Sequence, residues 1–169
     1  MLESLDFVAD EGVSCPLDEE EVRGICEMVL AEEGVSRPCF VSVTLVGEEH
    51  IRDINHTWRG VDRPTDVVSL ECERPDDPDL AAGEPCELGD VVLAPSYIER
   101  QALRLGTTYP NEFRLLLVHG LLHLLGYDHI EEEDARVMEE REDQLVSLAC
   151  GAEALGHVTT TRHDEDDAS

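Results

Sequence analysis

Between Asn111 and Leu125, apolar side chains such as Phe113, Leu116, Val118, Leu121 and Leu124 fall on nearly every side of a helix. A helix that is apolar all round belongs in an interior, so the remaining elements must be arranged to cover it. The chain is long enough to do this, since 169 residues is an ordinary length for one domain with its own core.

The covering elements are readable on either side. Ser4 to Ala9 alternates weakly and suits a first strand. Asp18 is placed to cap a helix carrying Val22, Ile25, Cys26, Val29 and Leu30 at helical spacing, stopped by Gly34. Cys39 to Val46 alternates, is rich in β-branched residues and lies between Pro38 and Gly47, as a strand would. Glu48 to Trp58 reads as a short helix with Ile51, Ile54 and Trp58 facing inward and Gly60 at its end. Thr65 to Cys72 and Leu88 to Ala94 read as two further strands. The acidic, proline-containing stretch 73–87 between them is expected to be a mobile, solvated loop. Pro95 opens a helix that runs to Gly106, and a last helix spans about Glu132 to Ala149. The expected fold is α+β, a small mixed four-stranded sheet packed with about five helices around the buried helix. One domain is expected over residues 1–150, followed by an acidic tail over 151–169 that is too polar to fold.

Two histidines interrupt the apolar helix. His119 and His123 are four residues apart and therefore lie one above the other on a single face. Gly126 can take the left-handed conformation that ends a helix, which returns His129 toward the same point. The string is H-x-x-x-H-x-x-G-x-x-H. Neutral imidazoles ligate zinc at about 2.0–2.1 Å, and three protein ligands with an open fourth position mark a catalytic site rather than a structural one. A single histidine on an apolar face would be read as a hydrogen-bonded core residue. Three at this spacing are read as ligands of one Zn2+ per chain, used for hydrolytic chemistry. Asp128 is either a support for a ligating imidazole or a solvated turn residue. His50, His56, His157 and His163 are expected to be exposed and are assigned no role.

The same histidine spacing occurs in metzincin proteases, but the chain has Gly120 where those enzymes place a glutamate base. That argues against peptide hydrolysis. Glycine within a helix costs about 1 kcal/mol relative to alanine, so Gly120 points to close approach by a substrate or a backbone.

Several ordered motifs accompany the histidines. They are Ile54-Asn55 through Trp58-Arg59-Gly60, then Pro64-Thr65-Asp66-Val67-Val68-Ser69, Leu88-Gly89-Asp90-Val91, Gln101-Ala102, and H-G-L-L-H-L-L-G-Y-D-H ending at His129. Together, over residues 45 to 145, they resemble the YbeY endoribonucleases, also described as rRNA maturation factors. The resemblance implies a metal-dependent, single-strand-specific endoribonuclease acting in 16S rRNA 3′-end maturation and ribosome quality control. It also implies His119, His123 and His129 as zinc ligands and Arg59 as the functional arginine. The implied partners are rRNA and the small ribosomal subunit, with ribosomal proteins or an assembly GTPase beside them. Val68 and Leu70 stand where Leu and Phe are more usual in the T-D-V-L-S-F string, a change of packing more than of chemistry. A guanidinium can donate two parallel hydrogen bonds to the oxygens of a phosphate as negative charge grows on them, a role that suits Arg59. Whether water or a ribose 2′-hydroxyl attacks stays open.

Composition sets a condition on this reading. The chain has 40 acidic residues against 12 basic ones, all arginine, for a net charge of −28. Such a chain repels a polyanion unless positive charge is concentrated locally or cations intervene. Within residues 50–65, Arg52, Arg59 and Arg63 stand against Asp53 and Asp62, a thin basic edge. RNA is therefore expected to be delivered by a ribosomal partner or bridged by magnesium. The six cysteines form no C-x-x-C pair, and no apolar run approaches the roughly 18 residues of a membrane span. We expect a cytoplasmic chain with free thiols and no membrane contact. Two other readings remain. A peptidase would require another carboxylate near the metal. A non-catalytic, zinc-containing assembly factor would keep its function in Arg59→Ala.

Overall fold

The computed structural model describes residues 1–128 and 130–150. In chain order it contains β1 (Leu2–Ala9), α1 (Glu19–Glu32), β2 (Cys39–Leu45), α2 (Glu48–Arg59), β3 (Val67–Glu71), β4 (Cys86–Leu93), α3 (Pro95–Leu105), α4 (Tyr109–Leu124) and α5 (Glu132–Cys150). The sheet order is β1-β2-β4-β3. The first two pairings are parallel, and β3 lies antiparallel to β4 at one edge. This is the mixed four-stranded α+β architecture expected from the sequence. The strand order was not readable, because alternation reveals which face a residue takes and not which strand lies beside it.

Local signals account for the element ends. The Asp18 carboxylate accepts from the Glu21 amide at 2.8 Å and opens α1. The Thr108 hydroxyl accepts from the Asn111 amide at 3.3 Å and opens α4, with Pro110 in its first turn. Gly60, with φ of 72°, closes α2 in the left-handed conformation.

The pleat divides the strands between two apolar clusters. Val67, Val91 and Leu93 face the main core with α1, α3, α4 and α5, while Val68, Val92 and Ala94 face Ile51 of α2 on the opposite side. Helix α4 is the centre, as its composition required. It packs on β3 and β4 and touches α1, α3 and α5. Phe113, Leu117 and Leu122 within it are fully buried, and each such side chain contributes about 1.5–3 kcal/mol by leaving water.

Gly120 lets α4 lie this close to the sheet. A Cβ there would fall 2.6 Å from Cγ1 of Val91 on β4 and 3.3 Å from Oγ of Ser69 on β3. The close approach expected at Gly120 is made by strand side chains.

Two expectations are corrected. Trp58 does not face inward but is 66% exposed, although Ile51 and Asn55 on the same helix face are fully buried. The segment 73–87 is largely exposed to solvent, as expected, but it is tethered. Arg37 donates from Nε to the Pro75 carbonyl at 3.0 Å, and from Nη1 to the carbonyls of Ala81 at 2.7 Å and Glu84 at 2.6 Å. Leu80 and Cys86 within it are buried. One guanidinium thus supplies donors that the sequence offered no way to assign. The expected tail, 151–169, with His157 and His163, lies outside the described residues. No described helix is long and apolar enough to cross a membrane.

Candidate metal centre

The imidazoles of His119 and His123 meet at the α4 surface turned toward β3. Their Nε2 atoms are 3.2 Å apart, with ring centroids at 4.6 Å and planes at 77°. The Nδ1 of His119 lies 2.9 Å from Oε1 of Glu142 on α5, a residue only 2% exposed. That carboxylate favours the proton on Nδ1 and leaves the Nε2 lone pair directed outward, the usual support for a ligating imidazole. Burial exerts the largest pull on the His119 pKa and draws it down. The charge and hydrogen bond of Glu142, with the charge of Asp66, outweigh it and leave the pKa raised.

Donor chemistry and spacing both fit zinc. Two nitrogen ligands of a tetrahedral zinc, each about 2.0–2.1 Å from the ion, lie roughly 3.3 Å apart. Among the described residues no group of three His, Cys, Asp or Glu side chains forms a metal cluster, and His129, the expected third ligand, lies outside them.

The turn after α4 is held from two directions. The Gly126 amide donates to the His123 carbonyl at 3.0 Å, and Gly126 adopts φ of 107°, as expected of a helix-ending glycine. The Arg74 guanidinium packs against it, since a Cβ on Gly126 would fall 3.0 Å from Nη1. The Tyr127 hydroxyl donates to Oε1 of Glu33 at 2.7 Å, and Arg141 donates to the other oxygen of the same carboxylate. Of the two readings of Asp128, the structure supports the turn residue. It is exposed, and its Oδ1 accepts from the Ile130 amide at 3.2 Å.

A cavity of about 210 Å³ opens beside the histidine pair, lined by Arg59, Val67, Ser69, Glu71, His119 and His123. Val67, Ser69 and Glu71 are alternate residues of β3 and so share a face. Ser69 Oγ donates to the Gly120 carbonyl at 3.1 Å and fastens this strand to α4. Arg59 enters from the last turn of α2. Burial pulls its pKa down, the charge of Asp66 opposes that, and the charge of Arg63 adds to the lowering. Glu71 is the carboxylate lining the cavity among the described residues, and Arg74 donates to it at 3.1 Å. The paired imidazoles and a guanidinium therefore face one small space, and a guanidinium suits an anionic group such as a phosphodiester.

A sequence model of the YbeY family, described as endoribonuclease YbeY, matches residues 9–149. The chain belongs to the YbeY endoribonuclease family. It is 37% identical over 141 residues to the endoribonuclease YbeY of Salinispora tropica, covering 80% of this chain and 88% of that protein. The YbeY of Saccharopolyspora erythraea is 32% identical over 168 residues, covering 98% of this chain and 91% of that protein. The solution structure of TM1509 from Thermotoga maritima superposes with a TM-score of 0.59 at 24% identity, covering 88% of this chain and 90% of that one. At that identity the likeness speaks for the fold.

In this YbeY-family site, Glu142 and Glu71 carry no signal of their own in the sequence. Glu142 stands 23 residues beyond His119 on an acidic helix, where it resembles its solvated neighbours. Glu71 ends a strand next to an acidic loop. Asp66, Gln101 and Glu112 form a buried network behind the cavity. Gln101 Nε2 donates to Oδ2 of Asp66 at 3.1 Å and to Oε2 of Glu112 at 2.7 Å, and Asp66 Oδ1 accepts from the Val67 amide at 2.7 Å. Asp66 and Gln101 stand in the motifs of the sequence, but those motifs do not reveal that Gln101 bridges Asp66 to Glu112.

Proposed function

We propose that the chain is a zinc-dependent, single-strand-specific endoribonuclease acting in 16S rRNA 3′-end maturation and ribosome quality control, in the cytoplasm, with the small ribosomal subunit as its partner. His119, His123 and His129 would hold one zinc ion per chain. The observation that carries this reading is the shared cavity, in which the paired Nε2 atoms and the Arg59 guanidinium face the same space. Family membership supports the endoribonuclease activity.

Zinc held there would supply Lewis-acid polarisation of a phosphoryl oxygen. The chain's own groups do the rest. Glu142 fixes the ring of His119 so that Nε2 points into the cavity. Arg59, on a capped helix end, donates to the non-bridging oxygens as their charge grows, and its partial burial strengthens that interaction by excluding water. Ser69, fastened to Gly120, keeps the β3 wall at fixed distance from α4.

The test is cleavage of a single-stranded RNA spanning the 3′ end of the small-subunit rRNA precursor, with zinc content measured on the same preparations. His123→Ala should lose both zinc and cleavage. Arg59→Ala should keep zinc and lose about 10²–10³-fold in kcat. A wild type that cleaves nothing, even with magnesium and small ribosomal subunits present, would favour the non-catalytic assembly factor. One observation favours a second reading: Glu71 supplies the cavity carboxylate that a peptidase requires. Peptide hydrolysis by the wild type, lost in Glu71→Gln, would support it.

A further inference from the structure

We propose that Trp58 is a stacking platform for an unpaired nucleobase of the RNA strand whose phosphate Arg59 engages. The proposal rests on the endoribonuclease reading of the neighbouring cavity.

Ile51, Asn55 and Trp58 lie four and then three residues apart, hence on one face of α2. Ile51 and Asn55 are fully buried, yet Trp58 on that same face is 66% exposed. The face that packs against the body thus emerges at its end as an open indole, and the next residue, Arg59, lines the cavity. Tryptophan is highly buried on average, and this is the only one in the chain.

The platform is rigidly built. Gly60 reverses the chain in the left-handed conformation. The buried Asn55 side chain donates from Nδ2 to the Arg63 carbonyl at 2.9 Å, and the Asn55 main-chain carbonyl accepts from the Val61 amide at 3.4 Å. On the outer side Arg52 donates from Nε to Oδ1 of Asp62 at 2.8 Å. Residues 61–63 are therefore pinned from both sides, so the turn behind the indole has little conformational freedom to lose when a ligand stacks. Arg59 follows Trp58 directly and lines the cavity, so a guanidinium accompanies the indole in a chain whose net charge is −28. An aromatic face beside local positive charge is how single strands are held without regard to sequence, because every base presents a π-face while its backbone needs a cation.

Because Trp58 is the only tryptophan, its emission reports on this one position. The zinc-loaded full chain, in magnesium, is titrated with a 2′-O-methyl single strand, with the same strand in a duplex, and with inorganic polyphosphate. The single strand should quench the emission, while the duplex and polyphosphate should not. In parallel, Trp58→Leu should raise the KM for RNA cleavage, and the Kd for labelled strand by anisotropy, about ten-fold, with kcat within two-fold. Trp58→Phe should restore most of the loss. Bound strand with unchanged emission, or Trp58→Leu with wild-type affinity, overturns the proposal. So does an emission change produced by ribosomal protein and by no single strand, which would make Trp58 a protein contact. Quenching by RNA that the wild type does not cleave would remove the nuclease reading and leave the platform standing.

Discussion

Glu142 holds His119 from a neighbouring helix: its Oε1 lies 2.9 Å from the Nδ1 of His119 across the α4–α5 contact. Partners of this kind set the orientation and basicity of a ligating imidazole, and losing one costs about 10–100-fold in metal affinity. Glu142→Gln keeps the size and an acceptor oxygen but removes the charge. Zinc affinity, measured by competition with a chromophoric chelator, should fall by about that factor while the far-ultraviolet circular dichroism stays unchanged. Unaltered affinity would show that the carboxylate does not tune the site.

Behind the cavity one amide group serves two acids. Gln101 Nε2 donates to both Asp66 and Glu112, and all three residues are at most 2% exposed. Gln101→Met keeps the volume and removes the donor from two buried acceptors, each of which costs about 1–3 kcal/mol when stranded. We expect a loss of roughly 2–4 kcal/mol in urea unfolding. A loss below 1 kcal/mol would mean that water replaces the amide.

The legible part of this protein was its local part. Asp18, Gly60, Pro95 and Gly106 mark helix ends through backbone rules that act over a few residues, and all four mark them in the structure. The apolar run of α4 and its two histidines could be read because helical periodicity places them on known faces. Trp58 misled because periodicity predicts a face but not where the covering layer stops. Arg37 and the 73–87 segment, or Glu142 and His119, were invisible because their partners are far apart in the chain and each residue type is also a common surface residue. Strand order was hidden because alternation reveals a residue's face and not the neighbouring strand.

Gly120 gives a sharp packing test. On helix propensity alone Gly120→Ala should stabilise by about 1 kcal/mol, yet the added methyl would sit 2.6 Å from Cγ1 of Val91. Val91 is buried in β4 and stiff at χ1, so α4 must move outward. Overpacking of this kind costs about 1–3 kcal/mol, and the net change should be destabilising. Val91→Ala in the Gly120→Ala background should recover much of it, giving a coupling that a double-mutant cycle reads directly. Additive effects would place the strain elsewhere.

The net charge of −28 should leave its own signature. Exposed pairs such as Arg52–Asp62 and Arg136–Glu133 contribute little in high dielectric, whereas repulsion among the excess carboxylates acts over the whole surface. Added sodium chloride shortens the screening length to about 10 Å at 0.1 M, and relieving repulsion should then outweigh the loss of those pairs. Tm should therefore rise with salt, and a falling Tm would mean that attractive pairs dominate. The same field bears on RNA. A strand approaching Arg59 and Arg63 meets a strongly negative protein, so binding of naked single strands should be weak in sodium alone and strengthen as magnesium is added at constant ionic strength. Tight, magnesium-independent binding would mean that the local arginines suffice and that delivery by a ribosomal partner is not needed.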